Sequence, residues 1–143
     1  KKDGSLEMRF KSELEALKSA AADYRIAVVD DDVTIRTILT KTFSTINANV
    51  DAYESGISFL EAAGDKKWDL IFLDLMMPKM NGFEVLIKIR EKKITTPVIV
   101  LSAVSQREAV MKVLSAGVKS YMIKPLKPDA ILTKTVEVLN GGF

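Results

Sequence analysis

Leu70-Ile71-Phe72-Leu73-Asp74-Leu75-Met76-Met77-Pro78-Lys79-Met80-Asn81-Gly82 is an apolar run that stops at one carboxylate and then turns. Leu70 to Leu73 reads as a strand buried on both faces, because it is short, continuously apolar and followed by turn residues. Pro78 to Gly82 makes a loop, and Asn81 with Glu84 three residues on is a capping-box signature for a following helix. A strand, a polar end, a short loop and a helix form the repeating unit of a parallel α/β sheet.

The same unit recurs along the chain. Ile26 to Val29 ends in Asp30 and Asp31, Val98 to Leu101 ends in Ser102, and Tyr121 to Ile123 ends in Lys124. Ala48 to Tyr53 is a weaker second strand. Val33 to Ile46 carries Ile35, Ile38, Leu39, Phe43 and Ile46 at helical spacing, with Asp32 placed to cap it. Gly56 to about Ala63 is a second helix, stopped by Gly64. Ser105 with Glu108 repeats the capping device, and Gly117 closes that helix. Pro128 suits the first turn of a last helix that ends before Asn140-Gly141. Five strands alternating with five helices predict a doubly wound parallel sheet.

In such a sheet, ligands bind in the crevice beyond the carboxyl ends of the strands. Asp30, Asp31 and Asp74 brought together there would repel one another unless a cation sat among them. Magnesium suits this set, since it takes oxygen ligands from one or two carboxylates and a substrate phosphate. Lys124 supplies a compact charge for the other side of a phosphate, and Ser102 a hydroxyl donor. Asp74 stands alone at the middle run, which suits a carboxylate nucleophile forming an acyl phosphate. Singly, each has a plainer reading: Asp as helix cap, Ser102 as turn hydroxyl, Lys124 as solvated loop charge. Four strand ends with matching chemistry outweigh those readings.

Composition narrows the field. The chain has 143 residues, enough for one domain with a short extension, and a net charge of +2 that gives no case for nucleic acid. It contains no histidine and no cysteine, which removes Ser-His hydrolases, His- or Cys-based zinc sites and disulfides. No apolar run reaches the roughly 20 residues needed to span a bilayer, and a cytoplasmic location is expected. The first residue is Lys rather than Met, which suggests an excerpt of a longer chain.

Residues 1–23 form a separate segment. Leu6, Phe10, Leu14, Leu17, Ala21 and Tyr24 recur at steps of three or four, a narrow apolar stripe on a helix. Glu7 with Lys11 is a favourable pair on another face. The stripe suits a coiled-coil seam, hence a homodimer through the helix. It equally suits a helix docked on the domain, or a linker from an upstream domain.

Val28-Val29-Asp30-Asp31, Phe72 through Gly82, Leu101-Ser102-Ala103 and Lys124-Pro125 together resemble the receiver domains of two-component response regulators. The resemblance runs from about Tyr24 to Leu139, so residues 24–143 are expected to form a receiver. It implies a flavodoxin-like fold with strand order 2-1-3-4-5, plus the extra N-terminal helix. It implies that Asp74 accepts a phosphoryl group from a partner histidine kinase or phosphotransfer protein. Asp30 and Asp31 would hold Mg2+ with Asp74 and the backbone carbonyl of Met76, Asp31 being favoured as a direct ligand. Lys124 would pair with phosphoryl oxygens, with its bond to Pro125 cis. Ser102 and Tyr121 would form the switch, the hydroxyl moving to the phosphoryl group and the ring turning inward. The downstream target would be a separate protein or an upstream domain of the same chain, and the chain would be a signalling module rather than an enzyme.

Met76 and Val104 are apolar where a polar side chain could orient an attacking water, so slow dephosphorylation is expected. Haloacid-dehalogenase-like phosphotransferases need a second Asp two residues after the nucleophile, and Met76 stands there. An FMN-binding module would want a small, neutral phosphate loop after the first strand, where Asp30-Asp31-Asp32 would repel phosphate. A scaffold or dimerisation module that is never phosphorylated is the remaining alternative.

Overall fold

A computed structural model describes residues 4–20, 23–103, 107–115, 118 and 120–140. Among them, in chain order, are α1 (Gly4–Ala20), β1 (Arg25–Val29), α2 (Val33–Ser44), β2 (Asn49–Tyr53), α3 (Gly56–Ala62), β3 (Leu70–Asp74), α4 (Gly82–Glu91), β4 (Val98–Ser102), α5 (Arg107–Ser115), β5 (Ser120–Ile123) and α6 (Pro128–Leu139). The five strands form one parallel sheet in the order β2-β1-β3-β4-β5. Ser105, Gly117, Val104, Ala21 and Gly141, singled out in the sequence, lie outside the described residues, as does the side chain of Leu6.

The sheet separates two apolar clusters. Val28, Phe72 and Leu101 alternate with Val29, Leu73 and Val100, so neighbouring strands send each set to opposite faces. The first set meets α2 and α6 through Leu39, Phe43, Ile131 and Val136. The second meets α3 and α4 through Phe59, Val85 and Ile89. Every residue of β3 and β4 is buried, which explains their unbroken apolar reading. β2 lies at the edge and is half-exposed, so its signal was weak. Asp51 anchors it, accepting from Trp68 Nε1 at 3.0 Å and pairing with Arg25 at 3.4 Å.

The strands run one residue further than their apolar runs. Asp74 and Ser102 are the last residues of β3 and β4, not the first beyond them. Polarity does not end a ladder, because the backbone carries the hydrogen bonds: Leu75 N–H still donates to Leu101 O at 3.0 Å. The loop after Asp74 is held close by Gly82, where an added Cβ would meet the Asp74 carbonyl oxygen at 2.5 Å and Leu75 Cα at 2.8 Å.

Helix starts follow the sequence signals. Asp32 caps α2 by accepting from Thr34 N–H, Asn81 and Glu84 complete both halves of their capping box, and Pro128 opens α6. α2 ends at Ser44 rather than Ile46, because Thr45 already caps it, although Ile46 is buried as expected.

α1 is a docked helix. Its stripe packs against α6 and the adjoining core, with Leu17 buried and Phe10, Leu14 and Tyr24 partly buried. Of the readings open for this stripe, the docked helix describes the single chain: the apolar stripe is covered by α6 and the adjoining core, and burying Leu17 there contributes about 2 kcal/mol. No described helix is long and apolar enough to cross a membrane.

Just past the Lys92 cap of α4, Lys93 sits in the left-handed region at φ 62°, with Ile94 N–H donating to Ile89 O at 3.2 Å. A side chain there strains the backbone. Lys93→Gly should raise the denaturant-measured unfolding free energy by about 1 kcal/mol, with the sheet unchanged.

Candidate functional site

The carboxyl ends of β1, β3 and β5 converge on one small charged cluster. Asp30 follows β1 directly and is fully buried, its N–H donating to Tyr53 O at 3.1 Å. One oxygen each from Asp30, Asp31 and Asp74 can be chosen so that all lie within 4.8 Å of one another. Asp31 is exposed at the mouth, while Asp30 and Asp74 form the floor. Lys124, just past β5, reaches back across the sheet. Its Nζ lies 3.1 Å from Asp30 Oδ2 and 3.2 Å from Asp74 Oδ1.

Electrostatically the cluster is under-neutralised. Burial away from water pushes the Asp74 carboxyl up to about 7 from 3.8, and the neighbouring Asp30 charge adds to this. Lys124 opposes the rise without cancelling it. Burial alone would lower the Lys124 ammonium, but Asp30 and Asp74 together raise it, so it stays charged. Asp30 Oδ2 is buried and lacks a directed hydrogen bond, although the ammonium lies close enough to pair with it. An oxygen-lined pocket whose two buried carboxylates share one ammonium, with one acid driven toward neutrality, fits a small divalent cation.

Ser102 is buried at the end of β4, next to this cluster through Lys124, whose N–H donates to Ser102 O at 2.8 Å. Its hydroxyl donates to Ala103 O at 3.2 Å. Tyr121 is 39% exposed on β5, the outward setting of a ring expected to turn inward. The Lys124-Pro125 bond is cis. Met76 is exposed beside Asp74, and its N–H donates to Asp74 Oδ1 at 3.3 Å.

Two features escaped the sequence reading. Arg36 Nη1 donates to the Asp30 carbonyl at 2.8 Å, closing the acidic turn from the side of α2. One turn of α2 carries that guanidinium back to Asp30, a placement visible only once α2 is set on the sheet. Lys79 sits at φ 68° while Met80 N–H donates to Pro78 O at 2.8 Å, an uncommon positive-φ γ-turn. It bends the loop beyond Asp74 tightly enough for Gly82 to return to Leu75 O at 2.9 Å.

The comparisons with known proteins converge with this geometry. The family described as response regulator receiver domain matches residues 26–136. The chain belongs to that family. The transcriptional regulatory protein ResD of Bacillus subtilis is 36% identical over 115 residues, which is 80% of this chain and 48% of ResD. The Regulator of RpoS of Escherichia coli K12 is 35% identical over 103 residues, 72% of this chain and 31% of that protein. This receiver thus spans about half or less of the curated relatives it matches. The Vibrio cholerae chemotaxis protein CheY4 superposes with a TM-score of 0.75 at 26% identity, covering 80% of this chain and 98% of CheY4. A BeF3-activated DrrB receiver domain superposes with a TM-score of 0.72 at 31% identity, over 82% of this chain and 97% of that one. The receiver is a signalling domain of two-component response regulators with the flavodoxin-like strand order.

The displacement of the Asp74 carboxyl has a pH consequence. Between pH 3.8 and about 7 the unfolded chain ionises Asp74 while the folded receiver keeps it protonated, so stability falls as pH rises through that window. Asp74→Asn should therefore be more stable than wild type at pH 8 in chelator, by about 2 kcal/mol. The difference should vanish toward pH 4 and shrink when Mg2+ is added, as denaturant unfolding would show.

Proposed function

We propose that Asp74 is the phosphoryl acceptor of a cytoplasmic two-component switch and that the acidic cluster holds Mg2+. The observation that carries this reading is the Lys124 ammonium lying against both Asp30 and Asp74 while the Asp74 carboxyl is still pushed up to about 7. Such a site is short of positive charge and accepts a cation with relief.

Asp30 and Asp31 would hold the ion with Asp74 and the Met76 carbonyl, Asp31 from the exposed mouth. Bound there, Mg2+ would offset the charge of an approaching phosphoryl group. Asp74, as the carboxylate, attacks the phosphorus of a phosphohistidine on a kinase or phosphotransfer protein. The P–N bond breaks, the new O–P bond makes an acyl phosphate, and the imidazole leaves with its electron pair. Lys124 then exchanges part of its pairing with Asp74 for a phosphoryl oxygen. Ser102 turns its hydroxyl from the Ala103 carbonyl to the phosphoryl group, and Tyr121 gives up its exposed setting. The face presented to a downstream protein, or to another domain of the same polypeptide, changes with them. No external substrate is turned over, because Met76 stands where a second acid would be required.

Incubation with a small acyl phosphate and Mg2+ should add one phosphoryl mass to the wild-type chain by intact mass spectrometry. Asp74→Asn, or wild type in chelator, should gain none. The adduct should persist well beyond seconds, since the apolar Met76 offers no hydrogen bond to an attacking water. Equal labelling of wild type and Asp74→Asn would contradict the assignment, as would no labelling of either.

A further inference from the structure

The receiver motif begins at Ile26 and leaves α1 without a part in the switch. α1 lies against α6, where Leu132, Val138 and Leu139 flank the same core that buries Leu17. Leu17 is the most deeply buried of the described side chains of α1; Phe10 and Leu14 are partly buried against the same core. Between Met8 and Ser19 the other side chains are exposed, with one exception.

That exception is Glu13. It stands three residues from Phe10 and four from Leu17, hence on the docked face of the helix. Its Oε1 accepts from Arg9 Nε at 3.2 Å. Its Oε2 is buried with no hydrogen-bond partner among the described residues. A carboxylate oxygen buried without a donor penalises the docked state and recovers its hydration as soon as the helix lifts. The contact therefore combines an apolar face, deepest at Leu17, with an opposing cost at Glu13.

α6 is also tied to the charged cluster. Leu126 lies two residues after Lys124 and belongs to the same apolar cluster as Leu17, Ile131 and Val136. The lysine that bridges Asp30 and Asp74 and the helix that covers α6 thus rest on one packed unit.

We propose that α1 is a releasable intramolecular cover over α6, anchored by Leu17 and deliberately weakened by Glu13, so that exposure of the α6 surface is set by whether α1 is docked. The receiver fold stays intact when the cover lifts, because the sheet and the helices on both sides of it close their cores largely without α1.

Amide hydrogen exchange on the full chain tests this, comparing wild type with Leu17→Asp, Glu13→Gln and Glu13→Leu. In wild type, α1 amides should exchange far faster than those of β1, β3 and β4, as a sub-global opening. Leu17→Asp should bring α1 to the rate of an unstructured peptide and expose α6 to an apolar-surface dye, with the strand amides unchanged. Glu13→Gln should slow α1 exchange by about threefold and Glu13→Leu by about tenfold. A Leu17→Asp chain that loses protection throughout the sheet, or does not fold, would show α1 to be part of the core rather than a cover. Glu13 variants that leave α1 exchange unchanged would overturn the weakening role.

Discussion

Three carboxylates forced together at one end of a buried sheet are the constraint around which the receiver is organised. With all groups ionised, Asp30, Asp31 and Asp74 outnumber the ammonium of Lys124 by two charges. Repulsion at this range, with two of the three carboxylates out of contact with water, is expensive. The chain tolerates it because β3 and β4 are wholly buried and their ladders fix the strand ends regardless of what those ends carry. The result is a site that, fully ionised, is two positive charges short. That deficit is what supports the divalent cation and the acceptor role of Asp74 proposed above.

The surroundings are built to hold the deficit in place. Asp30 is tied by its own N–H to Tyr53, by its carbonyl to Arg36 and by its Oδ1 to the N–H of Asp32. Asp74 is braced by the approach of Gly82, which no side-chain-bearing residue could make without displacing the backbone. Lys124 is positioned by its N–H on Ser102 O, so the ammonium bridge and the hydroxyl are held by one hydrogen-bonded segment. Such bracing keeps the carboxylates from relaxing apart.

Much of this was legible in the sequence. The fold was, since short apolar runs closed by polar residues have few arrangements other than a parallel sheet. Asp30, Asp31, Asp74 and Lys124 were legible because each stands at a strand end, and strand ends of one sheet meet. The strand-order reading and the capping of α2 and α4 hold in the structure. Arg36 was not legible, because its contact runs from a helix side chain to a main-chain carbonyl and leaves no residue pattern. The Lys79 turn was hidden for a related reason, a positive φ on a residue that does not advertise it. The placement of α1 stayed open because an apolar stripe specifies that something covers it, not what does; within the single chain Leu17 packs into the core beside α6. Glu13 reads as an ordinary surface charge until the docked face is known.

The most direct measurement is the titration of the Asp74 carboxyl by carbon-13 NMR, using aspartate-labelled protein and an Asp74→Asn chain to assign the signal. In chelator the carboxyl should titrate near 7, and saturating Mg2+ should draw it below the ordinary carboxylate value. A carboxyl titrating near 3.8 in chelator, with no response to Mg2+, would contradict the claim that the site is short of a cation.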